Sequence, residues 1–313
     1  MNFVNTTAST GASPGVGPGA SLAAGRSRFA GFDRTWLLGL SMLSVQLGAG
    51  FAGRLMRQIG APGTVLFRQG IAAVVLLAVA RPSVRKYTRA EWRTICALGV
   101  VFAAMNVTFY AAVERLPLGA AVTVELLGPL GLAAGLSRRL RDLGCVALAL
   151  AGVVLLGWGG EHLDTFGLVL AIAAAGGWAS YIMLSRSAGK ASDGMGSLGL
   201  AMALAAVLVA PFGLAPGSAL LRPNVMALGT VVAVLGALVP FSLELTALRH
   251  VPPRVFGVLM SLSPVAAVLS GWLLLGQDLT LRDAVAMVMV MAASLITVRT
   301  AENRSSARTR TRA

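Results

Sequence analysis

Apolar residues in this chain do not follow the stripe of a surface helix or the alternation of a half-buried strand. They run on for about twenty positions at a time, and polar residues collect in the short gaps between the runs. Ten such segments can be drawn, roughly 36–56, 62–80, 94–113, 117–136, 142–160, 165–185, 195–214, 225–247, 253–275 and 282–299. At ~1.5 Å per residue each is long enough to cross a hydrocarbon core of about 30 Å. The pattern predicts an all-α integral membrane protein with ten transmembrane helices and no soluble domain between them. Residues 1–33 are rich in Gly, Ala, Ser, Thr and Pro and lack the apolar core of a signal peptide. They read as a disordered cytoplasmic tail, running to the first segment at 35. The basic end, 300–313 (AENRSSARTRTRA from 301), reads as a second disordered cytoplasmic tail.

Composition agrees. Charged residues make up 12% of the chain and hydrophobic ones 56%, with a mean hydropathy of +0.78; soluble domains carry about 25% charged residues. The net charge of +14 does not indicate nucleic acid, because the basic residues sit between apolar runs and in the tail. With the N-terminus inside, the loops facing the cytoplasm hold twenty Lys and Arg residues and the outer loops hold five: Arg54, Arg57, Arg115, Arg222 and Arg282. That is the positive-inside bias, and it places both termini in the cytoplasm. Trp36, Trp92, Trp158 and Trp272 fall at segment ends, where aromatic belts form; Trp178 lies well within the sixth segment.

Pro117 and Pro129 are twelve positions apart, as are Pro252 and Pro264, and the pairs are offset by 135 residues. Five segments per half is an odd number, so the halves, 36–160 and 165–299, must be inverted relative to each other. This predicts two inverted five-helix repeats with a site near the membrane midplane between them.

The candidate chemistry centres on Glu125, a carboxylate within an apolar run. Pro129 has no N–H, so the carbonyl four residues earlier, that of Glu125, loses its helical donor. In lipid both groups need a protein or water-filled surrounding, and an ionisable residue there is a functional hypothesis by default. Arg68 lies about 9 Å and Glu125 about 12 Å in from the outer ends of segments two and four. Opposite charges at one depth either pair structurally or share a ligand, the two ends of a zwitterion; Glu125 is also the candidate to carry a proton. Asn106 and Tyr110 share a face of segment three, Trp178 and Tyr181 a face of segment six, and Gln46 is mid-segment in the first. These read either as a cavity lining or as interhelical packing. Glu244, near the inner end of segment eight with Pro240 and Ser242, reads as a gate or second proton site, or as a boundary carboxylate paired with Arg249 or Arg254. Pro264 frees the carbonyl of Met260, with Ser261 beside it. Gly128, Gly131 and Gly135 suggest a small face for close packing. Cys96 and Cys145 have no CxxC or His neighbour, so packing rather than a disulfide or metal site is expected. His162 and His250 lie in loops. No nucleophile–base pair and no phosphate-cradling loop with its lysine is present, so neither an enzyme, a bound cofactor nor ATP drive is expected.

The segments MNVTFYAAVERLPLGAAVTVELLGPL, GGWASYIMLS, VPFSLELTALRHVPPRVFGVLMSLSP and LGQDLTL closely resemble the bacterial threonine/homoserine exporters, EamA-type members of the drug/metabolite transporter superfamily. GAPG at 60–63 and PFSLE at 240–244 are further matches. The resemblance implies export of small amino acids across the bacterial cytoplasmic (inner) membrane, with protons as the coupling partner. It adds weight to Gln46, Arg68, Asn106, Tyr110, Glu125, Trp178, Tyr181 and Glu244. The family often has glutamates where this chain has Ser263 and Gln277, which leaves Glu125 or Glu244 to carry any proton coupling. Efflux of another metabolite or drug is the rival within transport; a membrane-embedded enzyme or sensor is the rival from another class.

Overall fold

The computed structural model describes residues 35–135, 140–157, 164–188, 194–240, 243, 260–278 and 280–310. Apart from short connections these are helical: α1 (Thr35–Ala80), α2 (Arg89–Val113), α3 (Leu118–Glu125), α4 (Leu127–Gly135), α5 (Leu140–Gly157), α6 (Thr165–Ala188), α7 (Gly194–Gly213), α8 (Pro223–Ala233), α9 (Ser263–Ser270) and α10 (Leu281–Arg310). Five are long and apolar enough to cross a membrane, within Trp36–Ala80, Arg89–Val113, Thr165–Ser185, Gly194–Gly213 and Leu281–Arg299. Leu118–Leu132, Leu143–Leu155, Pro223–Leu238 and Ser263–Leu275 are shorter apolar helices.

Segments one and two merge into α1 without a loop. Gly60 turns the chain with φ 70° and ψ 171°, a conformation a Cβ would resist. Pro62 then opens the second arm, where its missing N–H costs nothing. Segment four is split at Leu126 into α3 and α4, three residues before Pro129. Thr88 caps α2 through a reciprocal box with Glu91. At the start of α10, Thr280 and Asp283 exchange hydrogen bonds in the same way. Two π-helical stretches interrupt the second half, Val234–Leu238 after α8 and Gly271–Leu275 after α9. The second ends on Gly276, whose left-handed φ of 65° closes the helix.

Helices from the two parts of the sequence interleave: α1 packs on α7, α8 and α9, α2 on α6 and α7, α3 on α6 and α9, and α5 on α10. Small residues set the closest approaches. A Cβ on Gly48 would lie 2.7 Å from the Gly236 nitrogen, and one on Gly177 2.8 Å from Met105 Cβ. Of the expected small face on segment four, only Gly128 is used. Its Cβ would sit 2.2 Å from the Ala175 carbonyl oxygen, whereas nothing lies within 4 Å at Gly131 or Gly135.

One expectation is overturned in the tail. Residues 301–310 continue α10 as helix to Arg310 rather than standing as a disordered end. AENRSSARTR contains neither Gly nor Pro, so an established helix propagates through it at little cost. The N-terminal tail, Trp158, His162, Ser242, Glu244, Arg249, His250, Pro252 and Arg254 lie outside the described residues. Cys96 and Cys145 are free thiols, and among the described residues no cluster of His, Cys, Asp and Glu could hold a metal ion.

Candidate functional site

Three prolines organise the interior, each by removing one helical N–H. Pro240, buried near the end of the described part of segment eight, deprives the Gly236 carbonyl of its donor. The π-helical turn around Gly236 carries Val239 N–H back to Val234, and the Gly236 oxygen instead accepts Arg68 Nη2 at 2.8 Å. Pro264 frees the carbonyl of Met260, and there the neighbouring Ser263 hydroxyl donates to it at 2.7 Å. Pro129 frees the carbonyl of Glu125. The position before that proline is Gly128, which has no side chain to offer, and among the described residues no side chain donates to the Glu125 oxygen.

Arg68 is the centre of the polar network. Its Nη1 donates to Asn106 Oδ1 on α2, its Nη2 to Gly236, and its guanidinium lies 5.8 Å from the Tyr110 ring centre. Asn106 is itself fixed, because Nδ2 donates to the Phe102 carbonyl at 2.8 Å. Asn106 and Tyr110, four residues apart, therefore face one cation, as helical spacing requires. Both are buried.

Glu125 closes α3. The seven residues before it, Leu118–Val124, are buried all round, and Glu125 is the first of the helix to keep accessible surface. Arg68 and Tyr110 lie within electrostatic reach of its carboxylate. Of the two readings of the Arg68–Glu125 match, the structural ion pair does not form among the described residues. Among the described residues Arg68 has no carboxylate within ion-pair distance, and the described ion pair joins Arg115 to Asp164. The physical reason is competition: the Asn106 amide oxygen and the proline-freed Gly236 carbonyl already occupy two arms of the fork, which leaves the Glu125 carboxylate without an ion pair among the described residues.

The other expected residues scatter. Gln46 is buried, and its Oε1 has no hydrogen-bond partner among the described residues. Tyr181 packs its ring on Phe102, 5.1 Å between centres, one turn from Asn106. Trp178 is half-buried against the core. Ser261 is fully buried and bonds the Ser294 hydroxyl at 2.7 Å, tying the start of segment nine to α10. Gln277 is a structural contact between sequence halves. Its Oε1 accepts the Leu118 N–H at 2.9 Å and so caps α3, whose N-cap position is Pro117, a residue with no side-chain acceptor. Gly236 was missed by sequence reasoning, although the rule applied to Pro129 and Pro264 points to it from Pro240.

A family model described as the EamA-like transporter family matches residues 165–299. The threonine/homoserine exporter RhtA of Escherichia coli (strain K12) is 36% identical over 263 residues, 83% of this chain and 89% of that protein. The threonine/homoserine exporter RhtA of Salmonella typhimurium (strain LT2) is 35% identical over 260 residues, 82% and 88% of the two chains. A solved crystal structure, 23% identical, superposes with a TM-score of 0.52 over 87% of this chain and 97% of its own, a likeness of fold.

Proposed function

The chain belongs to the EamA-like transporters, in the branch of the threonine/homoserine exporters, and from that membership we propose that it exports small amino acids of the threonine/homoserine kind across a bacterial cytoplasmic membrane. Transport runs by alternating access between two inverted five-helix repeats, residues 36–160 and 165–299, with ten spans and both termini inside. The break at Gly60 supports counting α1 as two spans. The paired close approaches support the repeat. Gly48 on segment one meets Gly236 on segment eight, and Gly177 on segment six meets Met105 on segment three, the exchange an internal two-fold demands.

The observation that carries the mechanism is the pair of acceptors at Glu125. Among the described residues its carboxylate is in no ion pair, and its carbonyl, unlike those of Gly236 and Met260, is not taken by a side chain. Together they form a receptor for the ammonium group of an amino acid. Arg68 engages Asn106, Gly236 and the Tyr110 hydroxyl, and its remaining donors supply the positive end for the carboxylate. Tyr110, Trp178 and Tyr181 are assigned as the aromatic side of this receptor. A proton arriving at Glu125 neutralises the charge that holds the amine and releases it, which couples export to proton movement. Glu244 as second proton site or gate, read from its place near the inner end of segment eight, and Gln46 and Ser261 as lining complete the proposed set.

Purified protein in liposomes is expected to take up labelled threonine and homoserine faster under an imposed proton gradient, and Glu125→Gln to lose that dependence while staying folded. Wild-type gradient dependence in Glu125→Gln refutes the assignment. Transport with no gradient dependence in the parent makes the protein an exchanger.

A further inference from the structure

A separate cavity of about 410 Å³ lies at the end of the bundle where the outer loops gather. Its polar lining is Arg57 from the Gly60 turn, Glu114 and Arg115 after α2, and Gln277 after the second π-helical stretch; Met56 and Leu275 are part of its apolar wall. It is distinct from the central site. Glu114 stands eight residues beyond Asn106, about 12 Å along α2, and Glu125 lies seven residues, about 10 Å, down α3 from Leu118.

The charged groups there are not equally free. Arg115 is held by Asp164 and by the Phe166 ring, 4.9 Å from its guanidinium. Arg54 donates to the Leu274 carbonyl at 2.7 Å and lies outside the lining. Arg57 has only a long contact, 3.5 Å, to the Leu275 carbonyl, and its side chain is exposed. Glu114 is exposed, with the Ala61 N–H as its backbone neighbour, and its carboxylate keeps lone pairs to offer. Among the described residues the cavity thus offers a loosely engaged cation and an incompletely satisfied carboxylate beside an apolar wall.

We propose that this cavity is a second, outward-facing substrate site for the zwitterion of an α-amino acid, in which Arg57 meets the carboxylate, Glu114 the ammonium group, and Met56 and Leu275 the side chain. This assignment rests on the export reading and its orientation, and it gives the substrate a station on the way out. The site also lies on the seam between the halves. Gln277 and Leu275 belong to the second half and line it, while Gln277 caps α3 and the Leu275 carbonyl touches Arg57 in the first. A zwitterion bound to Arg57 competes with that last contact, so occupancy favours parting of the halves at this end.

The test is protection from labelling. In the full chain with Cys96 and Cys145 replaced by Ser, Leu275→Cys is labelled in bacterial spheroplasts with a membrane-impermeant maleimide. L-threonine at about ten times its Kd is expected to slow labelling roughly tenfold, following 1 + [L]/Kd. Threonine amide and N-acetylthreonine, each lacking one charge, are expected to protect poorly. Arg57→Gln removes protection, with its unliganded labelling rate reporting intact folding, and Arg57→Lys retains part of it. Glu125→Gln keeps protection, since the central site is elsewhere. Protection by another zwitterionic amino acid with threonine inert upholds the site and overturns the proposed substrate. No protection by any zwitterion, protection unchanged in Arg57→Gln, or no labelling from outside overturns the site.

Discussion

The bond between Arg68 and Asn106 offers a sharp test of how the interior is held. Arg68→Met keeps the apolar stem and removes the fork, leaving Asn106 Oδ1 and the Gly236 oxygen without their donor. Asn106→Ala removes one acceptor and leaves Arg68 on Gly236 alone. A hydrogen bond to a charged group contributes about 1.5–3 kcal/mol in a soluble protein. Within membranes, pairs of side chains average only ~0.6 kcal/mol and reach about 1.7, because the unfolded chain also finds partners. The guanidinium charge places this pair toward the upper end of the membrane range, so the coupling energy of a double-mutant cycle is expected to be about 1–2 kcal/mol. Equilibrium unfolding by sodium dodecyl sulfate in mixed micelles, followed by tryptophan fluorescence, reads all four corners of the cycle. Coupling below about 0.5 kcal/mol, the limit within which independent sites add, refutes the claim that Asn106 positions Arg68. A transport assay adds a second readout. Asn106→Ala keeps the charge but frees the fork to swing toward Glu125, so KM for threonine rises more than the maximal rate falls.

Two further outcomes follow from packing and from charge. Gly128→Ala drives a Cβ to 2.2 Å from the Ala175 carbonyl, where backbone must move, and is expected to cost about 1–3 kcal/mol; Gly131→Ala, with open space, is its neutral control, and equal thermal midpoints refute the contact. Asp164 lies outside the spans, and the hydrogen bond from Arg115 chiefly holds its carboxyl below the usual range. A depressed folded-state pKa stabilises above the unfolded value and is lost as pH falls through the folded one. The thermal midpoint should therefore fall on acidification below about pH 5, less steeply in Asp164→Asn, and an identical acid limb in that variant refutes the linkage.

Much of the architecture was legible because it depends on single segments. An apolar run of twenty residues is helical in lipid whatever surrounds it, and the described helices fall where the hydropathy pattern put them. GAPG at 60–63 carried its own turn, since glycine supplies the positive φ and proline opens a helix. The Thr88–Glu91 box was equally local. The spacing of Asn106 and Tyr110 placed them on one face, and the structure brings both to Arg68. The tail was misread because its polar composition says only that it leaves the bilayer, while the helix ahead of it decides whether it continues.

The amino-acid sequence by itself determined where backbone acceptors are set free, since a proline lacks its N–H in any environment. It also suggested a shared depth for the charges at Arg68 and Glu125, because depth is read as a count of residues along a helix. Which group claims each freed acceptor was decided only by the tertiary structure. Arg68 reaches Gly236 because Gly48 lets the first arm of α1 approach that turn. Ser263 satisfies Met260 where Gly128 has nothing to give its counterpart. Gln277 caps a helix 159 residues away in the chain. Hydrogen bonds are satisfied between neighbours in space, and among the described residues that competition leaves the Glu125 carbonyl without a side-chain donor.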